Sequence, residues 1–278
     1  MKRIIFIILV LVLAVQSKAD ELISGGFAKL GLNYAYLTHS AGKSRTESVH
    51  MALFVDYYYI FENGFGLGFD TSLGASTGNT NGYYPLQEAE SLTSTKPFQT
   101  QSFLQTQNIR VGYYFVRRTY DKPLYIGTGL NIEQYSNSST NTPAIGMIVG
   151  NYIPIELRGD IRVNPRFMFE YLFAYDIGVA QGLTILYDED NKTKVSAKNG
   201  YGLRLNLGGR YYVSKKVSFY ANILASYHSF GASESATISI IQPPAGTTIT
   251  PGYKPGSAVV SYPRSSISYV GLQIGIGY

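Results

Sequence analysis

The sequence predicts an all-β fold: one transmembrane barrel of about ten antiparallel strands running up and down. Three observations carry this. Apolar and polar residues alternate with a period of two in segment after segment, the mark of strands with one lipid-facing and one interior-facing side. Beyond residue 19 no apolar run approaches the ~20 residues a membrane-spanning helix needs, and a bilayer tolerates only helices and closed barrels. The chain holds 25 Tyr and 14 Phe with no Trp. Tyr, apolar in body and polar at its tip, suits the two bilayer interfaces.

The elements follow in chain order. Lys2 and Arg3 precede an apolar run of 12 residues, Ile4 to Val15, and Ser17-Lys18-Ala19 offers small residues for cleavage before Asp20. Residues 1–19 therefore read as a secretory signal peptide, too short to span a bilayer. Residues 20–278 read as the barrel domain, without a second domain. The first 19 residues hold three of the 23 Lys and Arg, so the remaining 259 residues carry 20 against 18 Asp and Glu, a net charge of +2. That balance, with no cluster of Lys and Arg, excludes a nucleic-acid partner. The absence of Cys excludes disulfides and thiolate chemistry.

Strands are expected at 22–38, 48–60, 64–76, 101–117, 123–135, 145–163, 166–176, 199–213, 217–230 and 264–278. In 64–76, Phe65, Leu67, Phe69, Thr71 and Leu73 oppose Gly66, Gly68, Asp70 and Ser72. In 101–117, Ile109, Val111, Tyr113 and Phe115 oppose Arg110, Gly112 and Tyr114. In 166–176, Phe167, Phe169, Tyr171, Phe173 and Tyr175 oppose Glu170, Ala174 and Asp176. In 199–213, Tyr201, Leu203, Leu205 and Leu207 oppose Arg204, Asn206, Gly208 and Arg210. Residues 145–163 contain Pro154, which suits a bend or bulge; losing that strand gives eight, and pairing within 80–100 gives twelve. Short turns are expected at Glu62-Asn63-Gly64, Tyr120-Asp121-Lys122-Pro123, Asn164-Pro165 and Ser214-Lys215-Lys216. Long polar loops are expected at 39–47, 77–100, 136–143, 177–198 and 232–263.

The last strand ends the chain on alternating Val270, Leu272, Ile274, Ile276 and Tyr278, with Gly271, Gln273, Gly275 and Gly277 between them. This resembles the C-terminal signal that the outer-membrane assembly machinery reads on bacterial β-barrels, with Tyr278 where Phe is commoner. The whole chain is similar in architecture to small outer-membrane barrels of the OmpA, OmpX and opacity-protein kind. The resemblance implies a bacterial outer-membrane location, short turns in the periplasm, long loops outside, and contact with membrane lipid and lipopolysaccharide. It implies roles running from membrane integrity to adhesion.

The polar parity of the strands gives a lumen set. It holds Lys29, Arg110, Arg158, Arg162, Arg204 and Arg210 against Asp56, Asp70, Glu133, Glu156, Asp160, Glu170 and Asp176. A barrel of about ten strands is only wide enough for side chains to fill it, and confined charges need partners. The expectation is an Arg–carboxylate network that plugs the lumen of a non-enzymatic, surface-contacting protein. The alternative is a narrow channel for small solutes.

A hydrolase is the remote alternative. His228-Ser229 is similar to a fragment of the outer-membrane lipid A deacylases, without that family's longer motif, and adjacent strand residues point to opposite faces. Ten strands are also similar to the omptin proteases, which place acidic residues and a His above the membrane; none of His39, His50 and His228 has a carboxylate two positions away. Arg158-Gly159-Asp160 spells an adhesion tripeptide but lies near the periplasmic end of its strand, facing the lumen. Asp188-Glu189-Asp190-Asn191 lacks the spaced ligands of a calcium site, so no metal or cofactor is expected. The candidate binding surface is 232–263, where Ile238, Ile240, Ile241 and Ile249 flank Pro243-Pro244-Ala245-Gly246 and would face a host or surface ligand.

Overall fold

The computed structural model describes residues 24–81, 98–118, 121–139, 142–186, 192–214, 216–240 and 256–278. The expected cleavage site, Ile241, Ile249 and residues 188–191 lie outside them. Thirteen strands are present: β1 (Gly25–Ala41), β2 (Ser44–Ile60), β3 (Phe65–Asn81), β4 (Phe98–Arg118), β5 (Asp121–Ser139), β6 (Thr142–Asn164), β7 (Phe167–Leu186), β8 (Lys192–Ala197), β9 (Tyr201–Tyr212), β10 (Ser218–Phe230), β11 (Ala236–Ile240), β12 (Gly256–Val260) and β13 (Ser265–Gly277). All but β8, β11 and β12 form a closed antiparallel barrel of ten strands, sealed by β6 against β7 and β1 against β13. Ala28 and Tyr278 exchange both backbone hydrogen bonds at 2.9 Å, so the chain's last residue completes the closure.

The register fixes the barrel's dimensions. Starting at Gly25, the ladder runs through Ile60, Gly66, Gly112, Gly127, Glu156, Ala174, Arg204, Ser226 and Tyr269 and returns to β1 at Leu37. The shear is therefore 12 (37 − 25) for ten strands. With strands ~4.8 Å apart rising ~3.3 Å per residue, that gives a tilt of about 40° and a radius of about 10 Å. Each residue then climbs ~2.5 Å along the barrel axis.

Outward residues form an apolar belt, including Leu30, Leu53, Ile109, Ile155, Leu203 and Ile274. Tyr59, Phe65, Phe115, Tyr211, Phe219 and Tyr278 mark its lower edge; Tyr36, Tyr175 and Tyr201 mark the upper. About ten residues at ~2.5 Å each match the ~25 Å apolar band of such barrels.

Four loop expectations are corrected. The stretches 39–47 and 136–143 are the tops of hairpins, in which strand pairing runs to Ala41↔Ser44 and Ser139↔Thr142. Ser, Thr and Asn, polar on both faces there, pair as well outside a membrane as apolar residues do within it. Likewise β7 continues to Leu186 and folds back along β8, and 232–263 contains the paired β11 and β12, with Ile238 opposite Ala258 and Ile240 opposite Gly256. The barrel thus projects beyond the outer interface as a β-walled rim. Pro154 sits within β6, opposite Asp176, without ending the strand.

Candidate functional site

Inward residues form three layers. At the periplasmic end Phe27 stacks on Tyr58 (4.9 Å between ring centroids), and Tyr114 packs on Tyr125 (4.7 Å). Lys122 sits over the Phe27 ring at 4.8 Å and pairs with Asp160 at 2.6 Å.

The middle layer is ionic. Arg110 of β4 pairs with Asp56 of β2 and Asp70 of β3. Asn108 Nδ2 donates to Asp70 at 3.2 Å and to Glu156 at 2.8 Å. Glu156 of β6 takes Arg158 at 2.9 Å and Arg204 of β9 at 3.1 Å. Arg204 also clamps Asp176 of β7, its Nε and Nη2 donating at 2.7 and 2.9 Å. His228 of β10 ends the chain of contacts, with Nε2 2.8 Å from Asp176 and Nδ1 2.7 Å from Glu133 of β5. A carboxylate at each ring nitrogen calls for a proton on both. Separately, Glu170 holds Lys29 at 2.8 Å and also Arg210. Of the fourteen charged residues in these two layers nine are buried and the other five, Lys29, Asp70, Arg158, Asp160 and Arg204, are half-buried, so each charge depends on these partners.

Twelve of the thirteen sequence-assigned lumen residues lie in these contacts. Arg162 lies apart from them, at the periplasmic rim, its guanidinium 3.3 and 3.4 Å from the carbonyls of Asn164 and Pro165. Two members escaped the sequence reading, Lys122 and His228. With them the set balances at seven potential cations and seven carboxylates.

Above the ions lies an apolar seal of Leu37, Leu104, Tyr135, Tyr152, Phe230 and Ile267 with their neighbours. Tyr135 stands two residues above Glu133 on β5, and Phe230 two above His228 on β10. Gln181 Nε2 donates to the Tyr152 hydroxyl and to the Ser229 carbonyl, both at 3.1 Å, tying the seal together. Higher still, Thr46, Thr80 and Thr100 link hydroxyls at 2.7 and 2.6 Å. Between the outer seal and the periplasmic aromatics lies a polar cavity of about 130 Å³, lined by Asn33, Asp56, Arg158, Arg204 and Gln273 among others. At ~30 Å³ per water it has room for about four water molecules.

His228 and Ser229 do not act together. His228 faces the lumen, where Ser226 Oγ is 3.2 Å from Nδ1. Ser229 Oγ turns to β9, accepting the Tyr201 N–H at 2.9 Å and donating to the Tyr201 carbonyl at 3.1 Å. Arg158 and Asp160 also point inward and are spent in ion pairs. Among the described residues no cluster of His, Cys, Asp and Glu has the geometry to hold a metal ion.

No protein-family profile matches this sequence, and no curated protein matches it. Solved structures do. The outer membrane protease OmpT from Escherichia coli aligns over 94% of this chain and 99% of its own, at 13% identity and a TM-score of 0.53. The transport unit of the autotransporter AIDA-I, also from Escherichia coli, aligns over 97% and 96%, at 14% identity and a TM-score of 0.45. The outer membrane protein OprG from Pseudomonas aeruginosa aligns over 93% and 97%, at 11% identity and a TM-score of 0.39. The fold is that of the bacterial outer-membrane β-barrels. Its ten closed strands and its apolar belt are those of a membrane-spanning barrel.

Proposed function

We propose that this protein is a non-enzymatic barrel with a closed lumen, anchored in the outer membrane, whose protruding β-walled rim carries contacts with the outside. The observation that carries this reading is the doubly sealed interior. An ionic layer fills the lumen, and an apolar layer caps it, with Tyr135, Tyr152, Phe230, Leu37 and Ile267 all 2% exposed or less. A fixed apolar plug removes a continuous aqueous path, and the charges beneath it are paired with one another. A hydrolase reading is disfavoured on the same ground, because His228 is sealed beneath that cap and Ser229 is bound to backbone. The rim, with β11 and β12 beside the barrel top, is the surface left to meet an external ligand, and lipopolysaccharide is the lipid it would meet. The alternating C-terminal strand is the feature that the barrel assembly machinery would read.

The second reading, a narrow channel, draws on the polar cavity between the layers. Planar-bilayer recording of the refolded mature protein separates the two. A silent membrane with insertion verified by protease protection agrees with the closed scaffold. Discrete unitary openings that change when Arg204 or Arg110 is replaced by Ala would overturn it and assign the ionic layer to a conducting path.

A further inference from the structure

We infer that the periplasmic mouth of this barrel is a binding site for a phosphate-bearing group. The mouth is a concave cup of about 640 Å³ whose lining includes Lys122, Arg162, Arg166, Arg210 and Lys216 and no Asp or Glu side chain, with the chain's last residue, Tyr278, also on its wall. Two of these cations are neutralised from beneath the cup, Lys122 by Asp160 and Arg210 by Glu170. Of the others, Arg166 and Lys216 face neutral groups in the contacts the structure defines. Arg166 Nη1 donates to the Tyr211 hydroxyl at 3.4 Å and Lys216 Nζ to the Tyr278 hydroxyl at 3.4 Å. The Arg162 guanidinium lies against two backbone carbonyls, while its backbone N–H donates to Asp121 Oδ1 at 3.3 Å.

A second observation points into the same cup. Arg210 is 3% exposed, and its Nε finds no hydrogen-bond acceptor. A buried guanidinium N–H without an acceptor is costly, and an oxyanion seated in the cup would supply one. The sequence of the periplasmic turns shows the same bias: Arg117, Arg118, Lys122, Arg162, Arg166, Lys215 and Lys216 stand against Glu62 and Asp121. The outward connections mix signs, as in Lys43, Arg45 and Glu47 or Asp188, Glu189, Asp190 and Lys192.

The chemistry of the ligand follows from the donors. Three guanidinium forks and two ammonium groups present many N–H bonds from several directions. A phosphoryl group offers three or more acceptor oxygens in a tetrahedral array, whereas a carboxylate offers two in a plane. Tyr211 and Tyr278, at the cup's edge, belong to the lower aromatic girdle. A phospholipid headgroup of the inner leaflet and a free phosphate in the periplasm therefore both reach the cup.

The test uses the refolded mature protein and the variant Arg166→Gln/Lys216→Gln. Inorganic pyrophosphate is titrated calorimetrically in a neutral detergent. In parallel, lipid retention is read by native mass spectrometry from phosphatidylcholine nanodiscs with and without phosphatidylglycerol. The expected result is saturable binding of at least one probe, weakened tenfold or more in the variant. Pyrophosphate binding would assign the cup to a soluble anion; selective retention of phosphatidylglycerol alone would assign it to a lipid headgroup. Failure of both probes to saturate would overturn the inference. So would equal binding by a variant whose unboiled gel mobility shows it folded. None of these outcomes depends on whether the lumen conducts.

Discussion

Replacing Arg204 with Met removes the central clamp of the ionic layer. Arg204 makes three charge-assisted hydrogen bonds, two to Asp176 and one to Glu156. At ~1.5–3 kcal/mol each these would exceed ~4.5 kcal/mol if they were independent. They are not independent, because both carboxylates keep other partners. Glu156 retains Arg158 at 2.9 Å and Asn108 at 2.8 Å, and Asp176 retains His228 at 2.8 Å and Asn131 at 3.3 Å. The loss should therefore fall at the low end of the ~3–5 kcal/mol for breaking a buried pair, about 3 kcal/mol. That is roughly a 150-fold shift in the unfolding equilibrium. Urea titration of the protein in lipid vesicles, followed by far-ultraviolet circular dichroism and by unboiled gel mobility, measures it. The double variant Arg204→Met/Asp176→Asn removes the stranded charge as well, and should recover about 1 kcal/mol relative to the sum of the single losses. A single-variant loss below about 0.5 kcal/mol, the size of an ordinary surface substitution, would refute the reasoning. The interior would then be a hydrated pore lining, and the closed-lumen reading would fall with it.

Further outcomes follow from the packing. Gly68→Ala places a Cβ 2.5 Å from Nε of Arg110, which two aspartates hold in place; it should cost about 1–3 kcal/mol. Gly182→Ala meets only a carbonyl at 3.8 Å and should be near neutral, so equal effects in the same urea titration would contradict the account. Tyr278→Ser should slow assembly into the outer membrane while Tyr278→Phe should not, as read from the folded fraction in membrane extracts. Equal assembly of both would remove the last residue from the signal. Deleting residues 241–255 should leave the barrel folded, since the ladder closes directly from Phe230 to Ser265, and should abolish any binding that the 232–263 region supports; loss of the folded gel band would show that the segment is structural.

Most of the barrel is legible in the sequence because period-two alternation is a local signal. Each expected strand has a counterpart in the barrel, and the turns at Glu62-Asn63-Gly64 and Asn164-Pro165 fall where Asn63 and Asn164 side chains accept backbone N–H groups. The upper hairpins were less legible. Above the outer interface, strands such as Ser44–Glu47 and Asn79–Asn81 have water or other strands on both sides, so the lipid-facing parity that marks a strand disappears and a polar strand reads as a loop.

The interior was legible by face but not by neighbour. Parity along a strand says which side chains enter the lumen; the shear of 12 decides which of them meet. His228 shares the inward parity of Asn222 and Ser226 along β10, yet its partners Asp176 and Glu133 come from β7 and β5, more than 50 and 90 residues away. No spacing within one strand encodes that meeting. Lys122 was hidden for a different reason. Counting back by twos from Glu133 puts Pro123 inward and Lys122 outward. The register of β5 against β6 slips between Lys122 and Tyr125, and this bulge reverses the parity below it. The slip carries Lys122 into the lumen beside Asp160, while Tyr125, above it, keeps the inward parity of Glu133. One extra residue thus converts a turn lysine into part of the plug. The same inversion sets Lys122 beside the periplasmic cup, where its ammonium meets the mouth's other cations and its carboxylate partner lies beneath them.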